Sequence, residues 1–315
     1  MSKTSTDLVP APRRFALNGP TMGSRWSAVF FADPAFGTDA LALRLAAAVD
    51  TVDRQMSTWR PDSDLERLNA APLGVWIDVP PALIEVLAAA LDVGRRSDGA
   101  FDVGVGDLVR AWGFGGGTRA LDPSAVAACG GRPSFEPPKT LELDQTRARV
   151  RKHAALRLDL SGIAKGYGVD RLAEELTRSG VAAFLVGIDG EMRAAGLKPD
   201  GSPWAVGHER PARDARELLG VLELRDAAVA TSGDYRHVVE IGGRSLSHTI
   251  DPRTGAPLVG DLAAVTVLAP TCMLADAWAT ALMVHGRRAG LALAERLGLA
   301  AILVGTDGRV VSTLA

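Results

Sequence analysis

The amino-acid sequence predicts an α+β fold in which antiparallel sheets pack against helices. Its 315 residues are 47% hydrophobic, which is enough to bury one large core or two interlocked ones. Several segments repeat apolar residues at helical spacing, whereas residues 204–268 hold a series of short strand-like segments without long helices between them. Strands that follow one another without helices between them pair antiparallel. This favours an α+β fold over a doubly wound fold, in which strands and helices alternate.

The chain is predicted to divide into a flexible lead-in and one folded domain. Residues 1–18 are polar and contain prolines, so they form the predicted lead-in, and residues 19–315 form the domain. Residues 130–140 hold three prolines and few apolar residues. They are predicted to form an excursion, with two interlocked subdomains as the alternative organisation.

The individual elements follow from the spacing of apolar residues and from the residues that interrupt it. Helices are predicted over residues 38–56, 81–96, 164–179, 271–285 and 288–297. Strands are predicted over residues 26–31, 156–160, 181–186, 204–207, 220–224, 227–230, 237–241 and 262–268, with a final hairpin over 301–311. Thr38 is expected to cap the first helix, and Pro81 suits the first turn of the second.

Charge and cysteine content argue against several classes of protein. The 35 basic and 37 acidic residues nearly cancel, so no broad positive field exists to attract nucleic acid. Two cysteines, Cys129 and Cys272, are too few to indicate a metal knuckle or a disulfide framework. No apolar run of about 18 residues predicts a membrane span. No signal-peptide segment or early cysteine for lipid attachment is visible, so a cytoplasmic location is expected.

Two glycine-containing segments are candidates for the wall of a ligand pocket. In residues 19–24, glycines let a ligand approach the backbone beside Met22, or they form an ordinary turn before a strand. A second segment places Phe101 and Asp102 among glycines, which suits a planar, hydrogen-bonding ring. Alternatively, that segment is a structural loop and its aromatic ring fills the core. Trp59 is open to the same two interpretations.

A third segment, residues 159–170, is predicted to lead from a strand through a glycine turn into a helix. Amide groups at the start of a helix attract phosphate oxygens, and Lys165 adds a positive charge there. The spacing is neither that of a Walker loop nor G-x-G-x-x-G. The segment therefore indicates a phosphate-binding turn or, alternatively, a structural turn with a solvated lysine.

A candidate cation site and a candidate base come from the last third of the chain. Asp276 and Thr280 are four residues apart on a predicted helix, so both oxygens project from one face. Oxygen ligands of this kind suit Mg²⁺, although such pairs are also common on solvated helix faces. His248 stands among Ser, Asp, Arg and Thr and can accept a proton near neutral pH, or it has a structural role.

Taken in order, these segments resemble the FAD:protein FMN transferase family, the ApbE-type flavin transferases. The motifs that carry the resemblance are TMGS, MSTWRPDSDLERLN, GAFDVGVGDLVRAWGFG, DLSGIAKGYGVDRLAEEL, ATSGDYR, SHTIDPRTG and ADAWAT. They span about residues 21–285, and seven motifs in one order are highly specific. The resemblance implies a T-fold-like α+β domain that binds FAD and a divalent cation, usually Mg²⁺.

The resemblance also implies roles for individual residues. The implied metal ligands are the side chains of Asp276 and Thr280 and the main-chain carbonyl of Ala164, with that of Ala279 as a further candidate. The residues expected around FAD are Met22, Trp59, Ala100, Phe101, Asp102, Ser161, Tyr167 and Ile250, to which the predicted phosphate site adds Lys165. His248 is the implied catalytic base.

The implied reaction is the transfer of FMN from FAD to a Thr or Ser hydroxyl of an acceptor flavoprotein. The hydroxyl loses its proton to His248 and attacks the FMN phosphorus, AMP leaves, and a phosphoester-linked flavin results. Two alternatives stay open at this point. In the first alternative, the chain is a FAD pyrophosphatase in which water replaces the acceptor hydroxyl. In the second, the chain binds FAD without catalysis.

The chain departs from the family pattern at two places. After the central strand, Gly187 stands where the family often has asparagine, and Asp189 where it usually has glycine. Trp59 stands where a tyrosine is common, which keeps the aromatic ring and loses the hydroxyl.

Overall fold

The computed structural model describes residues 11–114, 121–129, 140–211, 217–233, 238–241 and 244–314. The strands are β1 Arg13–Thr21, β2 Ser24–Ala32, β3 Trp76–Asp78, β4 Leu141–Asp144, β5 Arg149–Lys152, β6 Ala183–Ile188, β7 Glu191–Ala195, β8 Trp204–Glu209, β9 Leu218–Leu224, β10 Ala227–Gly233, β11 Val238–Ile241, β12 Arg244–Ser247, β13 Ile250–Asp251, β14 Ala256–Pro257, β15 Leu262–Ala269, β16 Ala300–Gly305 and β17 Val310–Ser312. The helices are α1 Asp39–Met56, α2 Asp64–Asn69, α3 Pro81–Arg96, α4 Gly106–Ala111, α5 Pro123–Cys129, α6 Ala164–Arg178 and α7 Cys272–Leu297.

The α+β class predicted from the sequence is confirmed. Within the described ranges, eight strands form one sheet in the order β1-β2-β6-β7-β10-β15-β16-β17. Every neighbouring pair in this sheet is antiparallel. The other strands form small sheets, namely β3-β5-β4, β8-β9, β11-β12 and β13-β14.

Two helices cover one face of the large sheet and a hairpin covers the other. Helix α6 packs on β6 and β7, α7 packs on β10 and β15, and the two helices contact each other. Along β10, Ala228 belongs to the core on the helix side, whereas Val229 packs with Trp204 and Leu224 of the β8-β9 hairpin. The alternation places the middle of the sheet between two apolar layers.

The outer helices complete the core through the spacing of their apolar residues. Helix α1 packs against α6, and α3 packs against α7. The buried face of α1 consists of Leu41, Leu45, Val49, Val52 and Met56, which recur every three or four residues. Helix α3 has the bounds predicted from the sequence and begins with Pro81 in its first turn.

Helix α7 contains the break that the sequence predicts between two helices. Gly286 has a φ of 76° and a ψ of 176°, which glycine adopts without steric penalty. The side chain of Asp261 accepts a hydrogen bond from the backbone N–H of Arg287 at 3.0 Å. Asp261 therefore caps the second part of the helix, while Thr271 caps the first by accepting from Leu274 N.

The fold begins earlier than the sequence predicts. The assignment of residues 1–18 to a flexible lead-in is wrong for residues 13–18, because β1 starts at Arg13 and pairs with β2 along its whole length. Phe15 and Leu17 pack on the core while their neighbours are exposed, an alternation that the polar composition obscured. Residues 1–10, and residues 130–139 of the predicted excursion, lie outside the described ranges.

Two local predictions also need correction. Thr38 precedes α1, but its backbone is helical and its side chain accepts no capping hydrogen bond. Residues 156–160 form no strand, and only an isolated bridge joins Val105 to Arg157. The side chain of Asn69 takes the place of a neighbouring strand, because it accepts from Leu158 N at 2.7 Å and donates to Leu158 O at 3.0 Å.

The remaining predictions about composition can be compared with the structure in the same way. Cys272 is fully buried, whereas Cys129 is half-buried, and both are free thiols. In the described part of the chain, none of the helices has the length and apolar character that a bilayer crossing requires.

A polar chain runs through the apolar layer under the β8-β9 hairpin. The Nε2 atom of His208 lies 2.9 Å from the Thr266 hydroxyl, which lies 2.8 Å from the hydroxyl of Thr231. His208 is only 7% exposed, and burial lowers the pKa of its imidazole below the usual value. Burial therefore favours the neutral ring in the folded state.

Protonation of His208 is expected to destabilise the fold. Because the pKa is lower in the folded state, the unfolded chain binds the proton more tightly, and stability falls as the pH drops below about 6.5. His208→Gln keeps a hydrogen-bonding group for Thr266 and removes the titration. Between about pH 7.5 and about pH 5.5, the midpoint temperature of thermal unfolding should fall less for this variant than for the wild type. An equal fall in unfolding temperature for the variant and the wild type would contradict a neutral His208 imidazole in the folded state.

Candidate functional site

Two adjoining cavities lie where the start of α6 meets the β1-β2 turn. The carboxylate cavity, of about 410 Å³, is lined by Asp189, Glu191 and Asp276 among others. The tryptophan cavity, of about 590 Å³, is lined by Trp59 and by residues of α1 and the start of α6. The residues that line both cavities are Met22, Gly23, Ser161 and Lys165. The two cavities therefore form one extended cleft.

Most of the residues that the sequence singled out lie in this cleft. Those that line the carboxylate cavity are Met22, Ala100, Phe101, Asp102, Ser161, Lys165, His248, Ile250, Asp276 and Thr280. Those that line the tryptophan cavity are Met22, Trp59, Ser161, Ala164 and Lys165. The fold thus brings together segments that are more than 200 residues apart in sequence.

Two predicted site residues do not line either cavity. Tyr167 is 1% exposed, and its hydroxyl donates to Glu85 of α3 at 3.0 Å, so the predicted contact of its ring with FAD has no open surface here. Ala279 is fully buried in α7. The side chain of Tyr167 is therefore turned toward the core, whereas the prediction for Ala279 concerns its main-chain carbonyl and stays a prediction.

The β1-β2 turn brings Met22 into the cleft. Thr21 pairs with Ser24, so Met22 and Gly23 form a two-residue turn, and their φ values are 45° and 69°. Two positive φ values are the signature of a type I′ hairpin turn. The end of the Met22 side chain lies beside Gly168 of α6. This segment therefore forms a hairpin turn, and its methionine lines the cleft.

A glycine lets α6 and α7 approach each other beside the cleft. A Cβ atom on Gly166 would lie 2.9 Å from the Cβ of Asp276, closer than packing allows. With hydrogen in its place, the backbone N–H of Gly166 donates to Oδ2 of Asp276 at 3.0 Å. The side chain of Asp276 is thus held against the first turn of α6.

A buried carboxylate on α6 fixes the start of α7. Asp170 is 4% exposed and accepts hydrogen bonds from Cys272 N and Met273 N, both at 2.9 Å. It also pairs with Arg193 of β7 at 2.7 Å. Its negative charge lies at the positive end of the helix, which stabilises the contact. The sequence analysis missed this residue, although a charge at a buried helix position was a visible signal.

Three carboxylates surround one ammonium group in the carboxylate cavity. Lys165 Nζ lies 2.7 Å from Oε1 of Glu191 and 3.9 Å from Oδ2 of Asp189. Burial works to lower the pKa of Lys165, but Glu191, Asp276 and Asp189 outweigh it and raise the pKa above its usual value. Lys165 is therefore charged and already paired, which differs from the solvated lysine considered in the sequence analysis.

The negative charge in this cluster is incompletely balanced. Burial raises the pKa of Asp276 to about 7, and the nearby charge of Glu191 adds to the rise, while Lys165 opposes it. Glu191 is 4% exposed, and its Oε2 atom has no hydrogen-bond partner among the described residues. A buried carboxylate oxygen without a partner is costly, so the site favours an additional positive charge. Glu191 was missed because its significance depends on a lysine 26 residues away.

The oxygen atoms near this cluster fit a hard divalent cation. The hydroxyl of Thr280 lies 3.0 Å from that of Ser232 and close to Gly162, where a Cβ would be 3.2 Å from it. Within the described ranges, no three His, Cys, Asp or Glu side chains converge as a metal-binding group. Asp276 and Thr280 supply a carboxylate and a hydroxyl oxygen to the cavity, and oxygen ligands of this kind suit a hard divalent cation.

His248 lies at the edge of the carboxylate cavity in the turn between β12 and β13. Its side chain is exposed, and it lines the cavity together with Thr249, Ile250 and Pro252. The hydroxyl of Ser247 accepts from Thr249 N at 3.0 Å, which fixes the turn around the histidine. An imidazole in this position can meet a group that approaches from outside the protein.

The chain matches the family model described as the ApbE family over residues 22–303. It is 37% identical over 280 residues to the FAD:protein FMN transferase of Vibrio cholerae, which covers 89% of this chain and 84% of that protein. It is 32% identical over 308 residues to the FAD:protein FMN transferase of Klebsiella pneumoniae, covering 96% of this chain and 88% of that protein.

Solved structures agree with the sequence comparison. The apo form of the flavinyl transferase ApbE from Pseudomonas stutzeri is 39% identical and superposes with a TM-score of 0.84, covering 97% of this chain and 96% of that one. The flavin transferase ApbE from Vibrio cholerae gives the same TM-score at 34% identity, covering 96% of this chain and 97% of that one. On the family match, the sequence identity and the shared fold, this chain belongs to the ApbE family.

Proposed function

We propose that this chain transfers FMN from FAD to a Thr or Ser hydroxyl of an acceptor flavoprotein, forming a phosphoester and releasing AMP. The observation that carries the proposal is one cavity that joins an exposed histidine to a cluster of hard oxygen atoms. His248 provides the first feature, and Asp276 with Thr280 provides the second. The names of the related proteins support FAD as the substrate and a protein as the acceptor.

Mg²⁺ is the proposed metal, and this chain has residues suited to hold it. Asp276 and Thr280 present a carboxylate and a hydroxyl to the carboxylate cavity, and Ala164 lines the adjoining one beside them. Oε2 of Glu191 has no hydrogen-bond partner in the described part of the chain, and the pKa of Asp276 is raised, so both residues indicate a place where positive charge is favourable. When bound, the ion supplies positive charge that offsets the charge of the FAD pyrophosphate.

In the proposed reaction, the residues of this chain orient the reactants and move one proton. His248 takes the proton from the acceptor hydroxyl, and that oxygen attacks the FMN phosphorus. The bond between this phosphorus and the bridging oxygen breaks, and AMP leaves with the electron pair. Lys165, held by Glu191, adds a fixed positive charge at the first turn of α6, where phosphate oxygens bind best.

The exposure of His248 favours catalysis over simple FAD storage. A base at the cavity edge is accessible to a hydroxyl on another protein, whereas a storage site needs no such group. The same exposure admits water, so hydrolysis of FAD to FMN and AMP is the second candidate. Incubation with FAD, Mg²⁺ and a candidate acceptor flavoprotein should increase the acceptor mass by one FMN group. AMP release that is independent of every acceptor tested would instead support hydrolysis.

Replacing His248 by alanine should remove the base and leave FAD binding intact. The rate of transfer is expected to fall about 10²- to 10⁴-fold, the usual contribution of a general base. FAD affinity, measured by flavin fluorescence, should change by no more than about twofold because the ring lies at the cavity edge. His153→Ala is a matched control, since His153 is also exposed and lines neither cavity. Equal activity of the two variants would refute the assignment.

Replacing Asp276 by asparagine should weaken the metal site without breaking the fold. The new side chain keeps an oxygen that can accept from Gly166 N, but it loses the negative charge. The Mg²⁺ concentration for half-maximal AMP release should rise about 10- to 100-fold. Asp92→Asn removes an exposed carboxylate of α3 and serves as the control. An unchanged Mg²⁺ titration for Asp276→Asn would exclude Asp276 as a ligand.

A further inference from the structure

The break in α7 lies beside the segment that carries His248, residues 247–255, which is called the histidine loop. An interrupted helix leaves carbonyl groups at the end of its first part without helical partners. Nη2 of Arg253 donates to the carbonyl oxygen of Val284 at 2.9 Å, two residues before Gly286. Val284 lines the carboxylate cavity and lies one helical turn after Thr280. Arg253 therefore contacts the same helix that carries the proposed metal ligands.

The same guanidinium group also fixes the histidine loop. Its Nε and Nη2 atoms donate to the two carboxylate oxygens of Asp251, both at 2.9 Å, and Asp251 is 8% exposed. Asp251 lies three residues after His248, and its own carbonyl accepts from Gly255 N at 2.8 Å. A bidentate pair of this kind restricts orientation as well as distance.

A second contact joins the same point of α7 to the loop that carries Phe101. His285 Nε2 lies 2.9 Å from the carbonyl oxygen of Ser97, and the Ser97 hydroxyl accepts from Phe101 N at 3.1 Å. Residues 284 and 285 are thus a junction between the helix, the histidine loop and one wall of the cavity. Arg253 connects this junction to Asp251, which lies three residues after His248.

We propose that Arg253 is a positioning residue that sets the distance between His248 and the oxygen atoms of Asp276 and Thr280. This inference rests on the proposed function, in which the base and the metal-side groups act on one phosphorus. Arg253 lines neither cavity, so its proposed effect on the cavity is indirect, through Asp251 and Val284. Its removal should slow the chemical step and leave the binding of FAD unchanged.

Arg253→Lys is the decisive substitution. Lysine keeps the positive charge but lacks the planar fork that reaches Asp251 and Val284 together. The kcat for transfer should fall about 10- to 100-fold, the effect of a displacement near 1 Å. The KM for FAD should stay within about twofold. Arg287→Lys is the control, because Arg287 makes a similar two-bond pair with Asp307 just after the same break and lines neither cavity.

The position of the base is tested by releasing it from the loop. In a His248→Gly background, free imidazole can enter the exposed site and replace the missing side chain. Because this base is no longer tethered, Arg253→Lys should then cost less than about twofold in turnover, with and without imidazole. An equal cost in both backgrounds, or a rise in KM instead of a fall in kcat, overturns the proposal. If Arg253→Lys does not fold, Arg253→Gln is put through the same comparison and decides by the same criteria.

Failure of the proposed function has a different signature. Wild-type protein that releases no AMP with FAD, Mg²⁺ and acceptor removes the reaction itself, and the inference about Arg253 is overturned with it. Wild-type turnover combined with equal losses in the two backgrounds overturns only the positioning role.

Discussion

The close contact between α6 and α7 is the constraint on which the site depends. Gly166 permits this approach, and its backbone N–H holds the carboxylate of Asp276. One turn further along α6, Asp170 accepts from the first two N–H groups of α7 and pairs with Arg193 of the sheet. These contacts fix the rotation of each helix about its axis and its position along the other helix, although Asp170 and Cys272 are about a hundred residues apart in sequence. The oxygen atoms of Asp276 and Thr280 reach the cavity only because of this alignment.

The second constraint is electrostatic. Asp189, Glu191 and Asp276 surround Lys165, and the one ammonium group cannot balance three carboxylates. Asp189 is exposed, but Glu191 and Asp276 are buried, and two buried carboxylates beside one ammonium group destabilise the protein unless a cation or a proton joins the cluster. The buried carboxylates therefore destabilise the fold at the place where a cation and a phosphate are proposed to bind. Such local destabilisation is common at functional sites.

Sequence reasoning identified the site through local signals and failed where distant segments meet. The four-residue spacing of Asp276 and Thr280 placed both side chains on one helix face, and both line the same cavity. The family resemblance placed Tyr167 beside FAD, but in the structure its ring is buried and its hydroxyl donates to the exposed Glu85 of α3. Glu191 was not predicted for a related reason, since its partner Lys165 is known only from the fold. The strand predicted over residues 156–160 is absent because its backbone bonds to several different partners, namely the side chain of Asn69 at Leu158, the side chain of Asp107 at Arg157 N, and the backbone of residues 103 and 106.

The backbone conformation and the packing explain how the fold accommodates Asp189 and Gly187, the two residues that depart from the family turn. Asp189 has a φ of 55°, a left-handed conformation that glycine adopts freely and that aspartate tolerates better than most other residues. The exchange therefore preserves the turn between β6 and β7 and adds a carboxylate 3.9 Å from Lys165. At Gly187, a Cβ atom would lie 3.0 Å from both the carbonyl oxygen of Glu191 and Cγ of Met192, so a larger residue requires β7 to shift. Gly187 pairs with Met192 and Ile188 pairs with Glu191, so Gly187 lies on the opposite face of the strands from the Glu191 side chain. The two exchanges therefore act separately, because Gly187 leaves room for β7 on the face toward the β8-β9 hairpin, whereas Asp189 adds charge beside Lys165.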